Sequence, residues 1–263
     1  MKSNMSIFNN TGVSETIGFV LILGIVITGI GLVTLYGYPV LLQQQQNANV
    51  KNMEKNMIVL QNDMKGLAYR NVPYTETTMQ ISGGTLSVVN TNPGPSKSNF
   101  VITVGVTPRT YSTGLLQFNS TSDANIIGLQ NGAVVTNGFS QTDGSTMLSE
   151  PRWFLDTNQS NKRTLVISIV NITSDYLMST SGGIRTVQMN ITAGTPIELG
   201  SGDVTIEYKD LGDGYSTAWY NYFNNPQVFP LGPLDSVSKP ATLKLKNVDR
   251  TVINTYTVTI LNL

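Results

Sequence analysis

Oxygen ligands are concentrated in one stretch of this 263-residue chain. Four acidic residues recur at short intervals in this stretch: Asp203, Glu207, Asp210 and Asp213. The last two belong to the sequence DLGDG. Closely spaced carboxylates in a surface loop can hold Ca²⁺, which takes about six to eight oxygen ligands. The stretch is shorter than an EF-hand loop, so a Ca²⁺ site and a solvated turn are both open interpretations, and we favour the turn. We therefore expect no metal and no cofactor.

The sequence lacks residue types that many catalytic sites use. The chain contains no histidine and no cysteine, which removes the commonest general base, thiolate metal sites and disulfides. Its formal net charge is zero and only 12% of its residues are charged. Phosphate binding needs clustered Lys and Arg, so the composition argues against a nucleic-acid partner. The sequence indicates a protein that is not an enzyme.

A membrane-length apolar segment stands near the start of the chain. No charged residue occurs from Thr16 to Val50, and the stretch from Ile17 to Leu42 is almost wholly apolar. As a helix this stretch is about 39 Å long, more than the ~30 Å hydrocarbon core of a bilayer. The segment can therefore span a membrane, with Glu15 directly before it.

The residues around Gly12 suit removal of a short leader ahead of the apolar run. Cleavage between Gly12 and Val13 would leave a new α-amino group two residues from Glu15. The block GVSETIGFVLILGIVITGIGLVTLYG resembles the N-terminus of type IV pilin-like precursors, in particular archaeal pilins and archaellins. Two positions differ from the usual pattern: Thr11 replaces a basic residue beside the cleavage glycine, and Glu15 would be the third mature residue instead of the fifth.

This resemblance implies a filament subunit made from a membrane-inserted precursor. A prepilin peptidase would remove a class III signal peptide, residues 1–12, and assembly machinery would move the helix, residues 13–70, from the membrane into the filament core. Residues 71–263 would form the extracellular surface of the homopolymer. The expected role is adhesion, cell contact or, in an archaellum, motility. The alternative is an uncleaved, signal-anchored monomer that binds a ligand at the cell surface.

Three helix residues are candidates for contacts between subunits. Glu15 either complements the positive end of its own helix or neutralises the N-terminal amine of a neighbouring subunit. Gly24 permits close approach of another helix backbone. Pro39 cannot donate a backbone hydrogen bond, so it should kink or open the helix near Tyr36 to Tyr38.

The apolar pattern after this run is that of an amphipathic helix. Its apolar residues alternate in steps of three and four, and they form a seam: Val50, Met53, Met57, Leu60, Met64 and Leu67. The helix should end near Gly66 to Arg70, because Pro73 disfavours helical backbone before it. Two partners for the seam are open. We favour the chain's own β domain over lateral packing between subunits through Met53, Met57 and Leu60.

From Tyr74 onward the apolar period becomes two, which predicts β-strands. Paired strands are predicted around Gly83-Gly84, Asn131-Gly132 and Asn247 to Arg250. Further strands begin at Phe100, Arg163, Arg185 and Val204. Many short strands with frequent turns indicate an antiparallel sandwich, immunoglobulin-like in the loose sense, and hence an α+β fold.

One short helix interrupts the strands, at Tyr215 to Asn225. Its apolar residues share one face, which we expect to cover a sheet edge: Ala218, Trp219, Tyr222 and Phe223.

The β domain contains four N-glycosylation sequons, which suit an exterior location. Attached glycans would add solubility that the low charge does not provide. The candidate asparagines are Asn119, Asn158, Asn171 and Asn190.

Overall fold

The computed structural model divides the chain into two compact units, Met1–Ala48 and Asn49–Leu263. It describes residues 11–70, 72–89, 96–121, 125–138 and 144–263, and the side chains of the first helix from Glu15 onward. Residues 1–10, which hold most of the predicted signal peptide, lie outside the described residues.

The helical part of the chain consists of three consecutive elements: α1 (Thr11–Leu32), a π-helical segment (Val33–Gly37) and α2 (Tyr38–Arg70). The π-helical segment ends two residues before Pro39, whose ring removes a backbone donor. The backbone N–H of Tyr38 donates to the carbonyl of Val33, five residues back. The predicted opening of the helix before Pro39 is therefore confirmed.

The strands that follow are, in chain order, β1 (Tyr74–Val89), β2 (Ser98–Val104), β3 (Thr107–Ser112), β4 (Leu115–Ser120), β5 (Ile126–Gln130), β6 (Ala133–Asn137), β7 (Thr146–Ser149), β8 (Phe154–Thr157), β9 (Arg163–Ser174), β10 (Ser179–Ala193), β11 (Ile197–Leu199), β12 (Gly202–Asp210), β13 (Ser236–Ser238), β14 (Thr242–Val248) and β15 (Arg250–Asn262). A short helix, α3 (Ser216–Phe223), lies between β12 and β13.

The described strands form two sheets. The ten-stranded sheet has the spatial order β7-β6-β5-β4-β1-β10-β15-β9-β8, with β11 paired to β15. The five-stranded sheet has the order β13-β14-β12-β2-β3. Every described pair is antiparallel except β9 and β15, which are parallel. The predicted α+β class is confirmed. The two sheets together contain 15 described strands, ten plus five, which exceeds the roughly seven to nine strands of a whole immunoglobulin domain.

The apolar seam holds the second half of α2 against one face of the ten-stranded sheet. All six seam residues are at most 8% exposed: Val50, Met53, Met57, Leu60, Met64 and Leu67. They share a core with Ile81, Phe118 and Val258 of the sheet. The interpretation that the seam docks on the chain's own β domain is confirmed.

This docking corrects two predictions. Met53, Met57 and Leu60 are at most 1% exposed, so they have no surface left for a contact with another subunit. The compact β unit begins at Asn49 instead of residue 71, because the seam belongs to its core. The helix itself ends at Arg70, as predicted.

A second core lies between the two sheets. Ile102 and Ile206 come from the five-stranded sheet, and Ile167 and Ile253 come from the ten-stranded sheet. Helix, large sheet and small sheet are thus three layers, and the large sheet separates the two cores. The strand β9 serves both cores, since Ile167 belongs to one and Ile172 to the other. Burial on both faces explains its nearly continuous apolar sequence, RTLVISIVNI.

The predicted turns had different outcomes. The turn at Asn131-Gly132 is confirmed: both residues have positive φ, and β5 and β6 pair across them. The turn at Gly83-Gly84 is wrong, because β1 continues through both glycines and only its pairing with β10 shifts. The pairing predicted around Asn247 to Arg250 is also wrong, since β14 and β15 belong to different sheets.

The helix α3 is confirmed, and all four residues of its predicted apolar face are buried. Its location differs from the expectation. Trp219 stacks on Tyr208 and contacts Phe100 and Trp153, with ring centroids 4.7–5.6 Å apart. The helix therefore packs into the core between the sheets and does not merely cover an edge.

We predict that Met57→Ala lowers the free energy of unfolding by about 2–5 kcal/mol, because it leaves a cavity between α2 and the sheet. The matched control is Val59→Ala, two residues away on the same helix, where the side chain is 52% exposed and the change should stay within about 0.5 kcal/mol. Urea unfolding of the detergent-solubilised chain, followed by fluorescence of the buried Trp153 and Trp219, measures both. Equal effects of the two substitutions would contradict the docking.

Candidate functional site

The apolar helix exposes a large hydrophobic surface, and this surface is the candidate functional site of the molecule. The helix from Glu15 to Arg70 is long and apolar enough to cross a membrane, and none of its most apolar stretch is buried in the described chain. Large apolar side chains between Ile17 and Leu42 are 38% to 71% exposed. Such a surface is unstable in water, and the helix is compatible with membrane anchoring.

The polar side chains inside this stretch suit apolar surroundings. The hydroxyl of Thr28 donates to the carbonyl of Gly24 at 2.8 Å, and the hydroxyl of Thr34 donates to that of Ile30 at 2.9 Å. Each hydroxyl therefore needs no water, which removes most of its cost in hydrocarbon.

The candidate processing and contact residues take ordinary helical positions. Gly12 and Val13 lie in the first turns of α1, and Glu15 is exposed. Apart from its two chain neighbours and the adjacent backbone of its own helix, no described atom would lie within 4 Å of a Cβ at Gly24, so its surface is open to another helix. Pro39 follows the π-helical segment. The roles in processing and subunit contact remain predictions for these residues.

Gln61 is a structural residue that the sequence pattern did not indicate. It is fully buried beside the seam, and its Nε2 donates to the carbonyls of Gly132 at 2.6 Å and Glu150 at 3.0 Å. Its Oε1 accepts a hydrogen bond from the hydroxyl of Ser149 at 2.5 Å. A glutamine in a polar-rich helix carries no local sign of this role, which depends on loops 71 to 89 residues further along the chain.

The acids of the proposed Ca²⁺ stretch are not brought together. Asp203 and Asp210 stand near opposite ends of β12, about 23 Å apart in an extended strand. Asp203 forms an ion pair with Lys246 at 2.6 Å, and Glu207 lies 3.6 Å from the Lys209 ammonium. Within the described ranges, no group of three or more acids is placed to hold a metal.

The end of this stretch is a turn, but it is not solvated throughout. Asp210 Oδ1 accepts the backbone N–H groups of Gly212 and Asp213, as a turn-forming aspartate does. Asp213 instead accepts hydrogen bonds from the hydroxyl of Tyr208 and from Nε2 of Gln130. The expectation of a solvated turn is therefore correct for Asp210 and wrong for Asp213.

Burial raises the pKa of Asp213 from 3.8 to about 7. The negative charge of Asp210 adds to the increase, while the hydrogen bonds from Tyr208 and Gln130 act against it. The carboxyl group thus retains a proton in the folded chain at pH values where an exposed aspartate is ionised.

The four sequons are all in the described β unit. Asn119 is exposed on β4, Asn158 is exposed on the turn between β8 and β9, and Asn171 and Asn190 are half-buried on β9 and β10. Asn171 lies inside β9 and Asn190 inside β10.

Fold and helix together define a class: an α+β protein in which one membrane-length helix continues into a two-sheet β unit. The chain belongs to the Family of unknown function (DUF7289), whose model matches residues 11–260. The match includes the apolar helix as well as the β strands.

Similarity to a curated relative is confined to part of the chain. An uncharacterized protein of Archaeoglobus fulgidus is 30% identical over 79 residues, which is 30% of this chain. The chain spans about 30% of the length of that relative. No solved structure matches this chain significantly.

We predict that the contribution of Asp213 to the free energy of unfolding falls as the pH rises from about 4 to 7. Because the pKa of Asp213 is higher in the folded chain, the unfolded chain releases this proton first, and stability is lost as the pH approaches the folded pKa. The slope contributed by Asp213 is at most about 1.4 kcal/mol per pH unit.

The comparison between wild type and Asp213→Asn isolates this contribution from those of other acids. Urea unfolding at pH 4, 6 and 8 should show the variant gaining stability relative to wild type as the pH increases. The exposed Asp175→Asn is the control and should follow the wild-type profile. A constant difference between wild type and Asp213→Asn would refute the assignment.

Proposed function

We propose that the protein is a structural subunit of an extracellular filament of the type IV pilus kind. Its apolar helices would bundle in the filament core, and its β units would form the outer surface. The observation that carries the proposal is a difference in burial along one helix. The seam of α2 is buried in its own β unit, while the apolar stretch before it is exposed. That stretch requires either lipid or other copies of itself.

The same helix surface can be satisfied in a membrane and in a bundle. In both surroundings apolar side chains are removed from water, so moving between them changes the hydrophobic free energy little. Close helix packing, favoured at Gly24, would replace contacts with lipid chains. A small net difference lets external assembly machinery set the direction of the transfer.

Glu15 would select the axial register of the bundle. A carboxylate in an apolar core is strongly unfavourable unless it is paired. Cleavage after Gly12 would create an α-amino group on Val13, and this cation on one subunit could pair with Glu15 of another. The pairing links the processing step to assembly, because an uncleaved chain lacks the amine at that position.

The proposal includes three functions of an archaeal filament: adhesion, cell contact and swimming. The resemblance of the block from Gly12 onward to archaeal pilins supports it, and the partial similarity to an archaeal protein is consistent with it.

We predict that protein from the cell surface begins at Val13. Intact mass and N-terminal peptide mapping of sheared filaments measure this directly. Gly12→Val should block cleavage and keep the full-length chain in the membrane fraction, while the conservative control Thr11→Ser should be processed. A terminus at Met1, together with a detergent-soluble monomer and no sheared filaments, would favour the signal-anchored surface module instead.

We also predict that Glu15→Gln separates processing from assembly. The variant retains Gly12 and Val13, so its terminus should still be Val13. The yield of sheared filaments should fall at least about tenfold, because the amine of the neighbouring subunit loses its counter-charge in the apolar core. Asp175→Asn, which removes an exposed carboxylate from the β unit, is the control. Filaments of Glu15→Gln at wild-type yield would exclude the pairing with the amine.

A further inference from the structure

A cluster of positive charge lies where the end of α2 meets the segment between β7 and β8. Lys65 and Arg70 belong to α2, and Arg152 belongs to that segment. The three side chains line one cavity of about 500 Å³, a volume typical of small-ligand sites. Charged residues are scarce in this chain, so three cations around one cavity require an explanation.

None of these cations forms an ion pair with a described acid. Asp63 also lines the cavity, but its Oδ2 accepts a hydrogen bond from the hydroxyl of Thr77 at 2.6 Å. The nearby carboxylate of Glu150 accepts a hydrogen bond from Nδ2 of Asn225 at 2.9 Å. Both acids are therefore held by other groups, and neither contacts a cation of the cluster.

Lys65 and Arg152 have hydrogen-bond donors to spare. Lys65 Nζ donates to the backbone carbonyl of Glu150 at 3.1 Å, which leaves two of its three N–H groups without a described acceptor. The guanidinium of Arg152 lies over the ring of Tyr69, with Cζ 4.6 Å from the ring centroid, and donates no hydrogen bond to a described residue. A guanidinium over an aromatic face keeps its N–H groups available for oxygen acceptors.

The two cations act on each other electrostatically. Burial lowers the pKa of the Lys65 ammonium, the positive charge of Arg152 lowers it further, and the negative charge of Glu150 acts in the opposite direction. An anion between Lys65 and Arg152 would relieve this repulsion, and its oxygens would replace the water that burial removes from the ammonium.

Gly66 leaves space beside these cations. It is the one glycine in the sequence of α2, and it lines the same cavity. Apart from its two chain neighbours and the adjacent backbone of its own helix, no described atom would lie within 4 Å of a Cβ at Gly66. Packing therefore does not require a glycine here, although glycine weakens a helix relative to alanine. Its presence suits a ligand that approaches the helix closely.

The ordinary role of basic residues at the end of a helix explains only part of the cluster. Lys and Arg in the last turn complement the negative end of the helix dipole, which accounts for Arg70. Lys65 lies before that turn, and Arg152 belongs to a different part of the chain. Helix stability therefore does not explain why these two side chains line the same cavity.

We propose that this cavity binds a compact oxyanion, with Lys65 and Arg152 as its charged partners and the space at Gly66 as its seat. The ligand chemistry is a single carboxylate or phosphate group, which accepts charge-assisted hydrogen bonds from ammonium and guanidinium groups. Such a group belongs either to a free small anion or to a uronic-acid unit of an acidic polysaccharide. The exposed Arg70 adds attraction at longer range.

The site lies within the β unit, so it requires neither cleavage after Gly12 nor filament assembly. On a surface that displays many copies of the chain, such sites would provide adhesion to acidic polymers through repeated weak contacts. The test uses the full chain in detergent, and filament yield enters none of its outcomes. Failure of the filament proposal thus remains distinguishable from failure of anion binding.

A ligand that binds the folded chain raises its melting temperature in a saturable way. The detergent-solubilised full chain is titrated with sodium phosphate, sodium galacturonate or polygalacturonate, at constant ionic strength set with NaCl. We expect a saturable increase with both small anions. A smaller dissociation constant per carboxylate for the polymer would identify an acidic polysaccharide as the source, and equal constants would identify a free anion. No saturable increase with any of the three would overturn the proposal.

Substitution of the two charged partners tests the location of the site. Lys65→Gln and Arg152→Gln should each raise the dissociation constant for phosphate at least about tenfold, because a charged donor is lost. The control Lys55→Gln removes an exposed positive charge from the same helix and should bind phosphate as wild type does. Equal affinities of wild type, Lys65→Gln and Arg152→Gln would reveal a general salt effect and would overturn the proposal.

Gly66→Leu distinguishes a binding role from a structural one. Leucine is a good helix former, so without ligand the variant should melt at or above the wild-type temperature. Its response to phosphate should nevertheless be lost, because the new side chain occupies the cavity. A full response to phosphate in Gly66→Leu would exclude this cavity as the anion site.

Discussion

Burial of the α2 seam against the ten-stranded sheet is the interaction on which the rest of the structure depends. It supplies an entire core on one face of that sheet, and it joins a helix that would otherwise be only marginally stable in water to a β unit. Gln61 adds hydrogen bonds to loop carbonyls, so the docked helix is also fixed in its position along the sheet. The seam begins at Val50, and the large apolar side chains between Ile17 and Leu42 are exposed in the described part of the chain.

Local patterns predicted the features that local physics decides. The seam spacing, the short helix α3, the turn at Asn131-Gly132 and the opening before Pro39 each depend on a few adjacent residues. The pair Gly83-Gly84 gives the same local signal as a turn. It became a register shift because β10 continues alongside β1 on both sides of the glycines.

Features that depend on distant residues could not be predicted in this way. Whether the seam faces its own sheet or another subunit depends on where that sheet lies. The spacing of the seam residues in the sequence carries no information about that position. The separation of β14 and β15 into different sheets has the same origin. Asp213 occurs in a sequence typical of exposed turns, yet Tyr208 and Gln130 enclose its carboxyl group and change its pKa.

The position of β15 has a consequence for folding. β9 and β10 are neighbours in sequence, joined by residues 175–178, and such strands ordinarily pair as a hairpin. Here β15 lies between them, antiparallel to β10 and parallel to β9. While the chain emerges from the ribosome, β9 and β10 are available long before residues 250–262. The nascent chain must therefore leave this gap open, or break a competing hairpin, before its largest sheet can close.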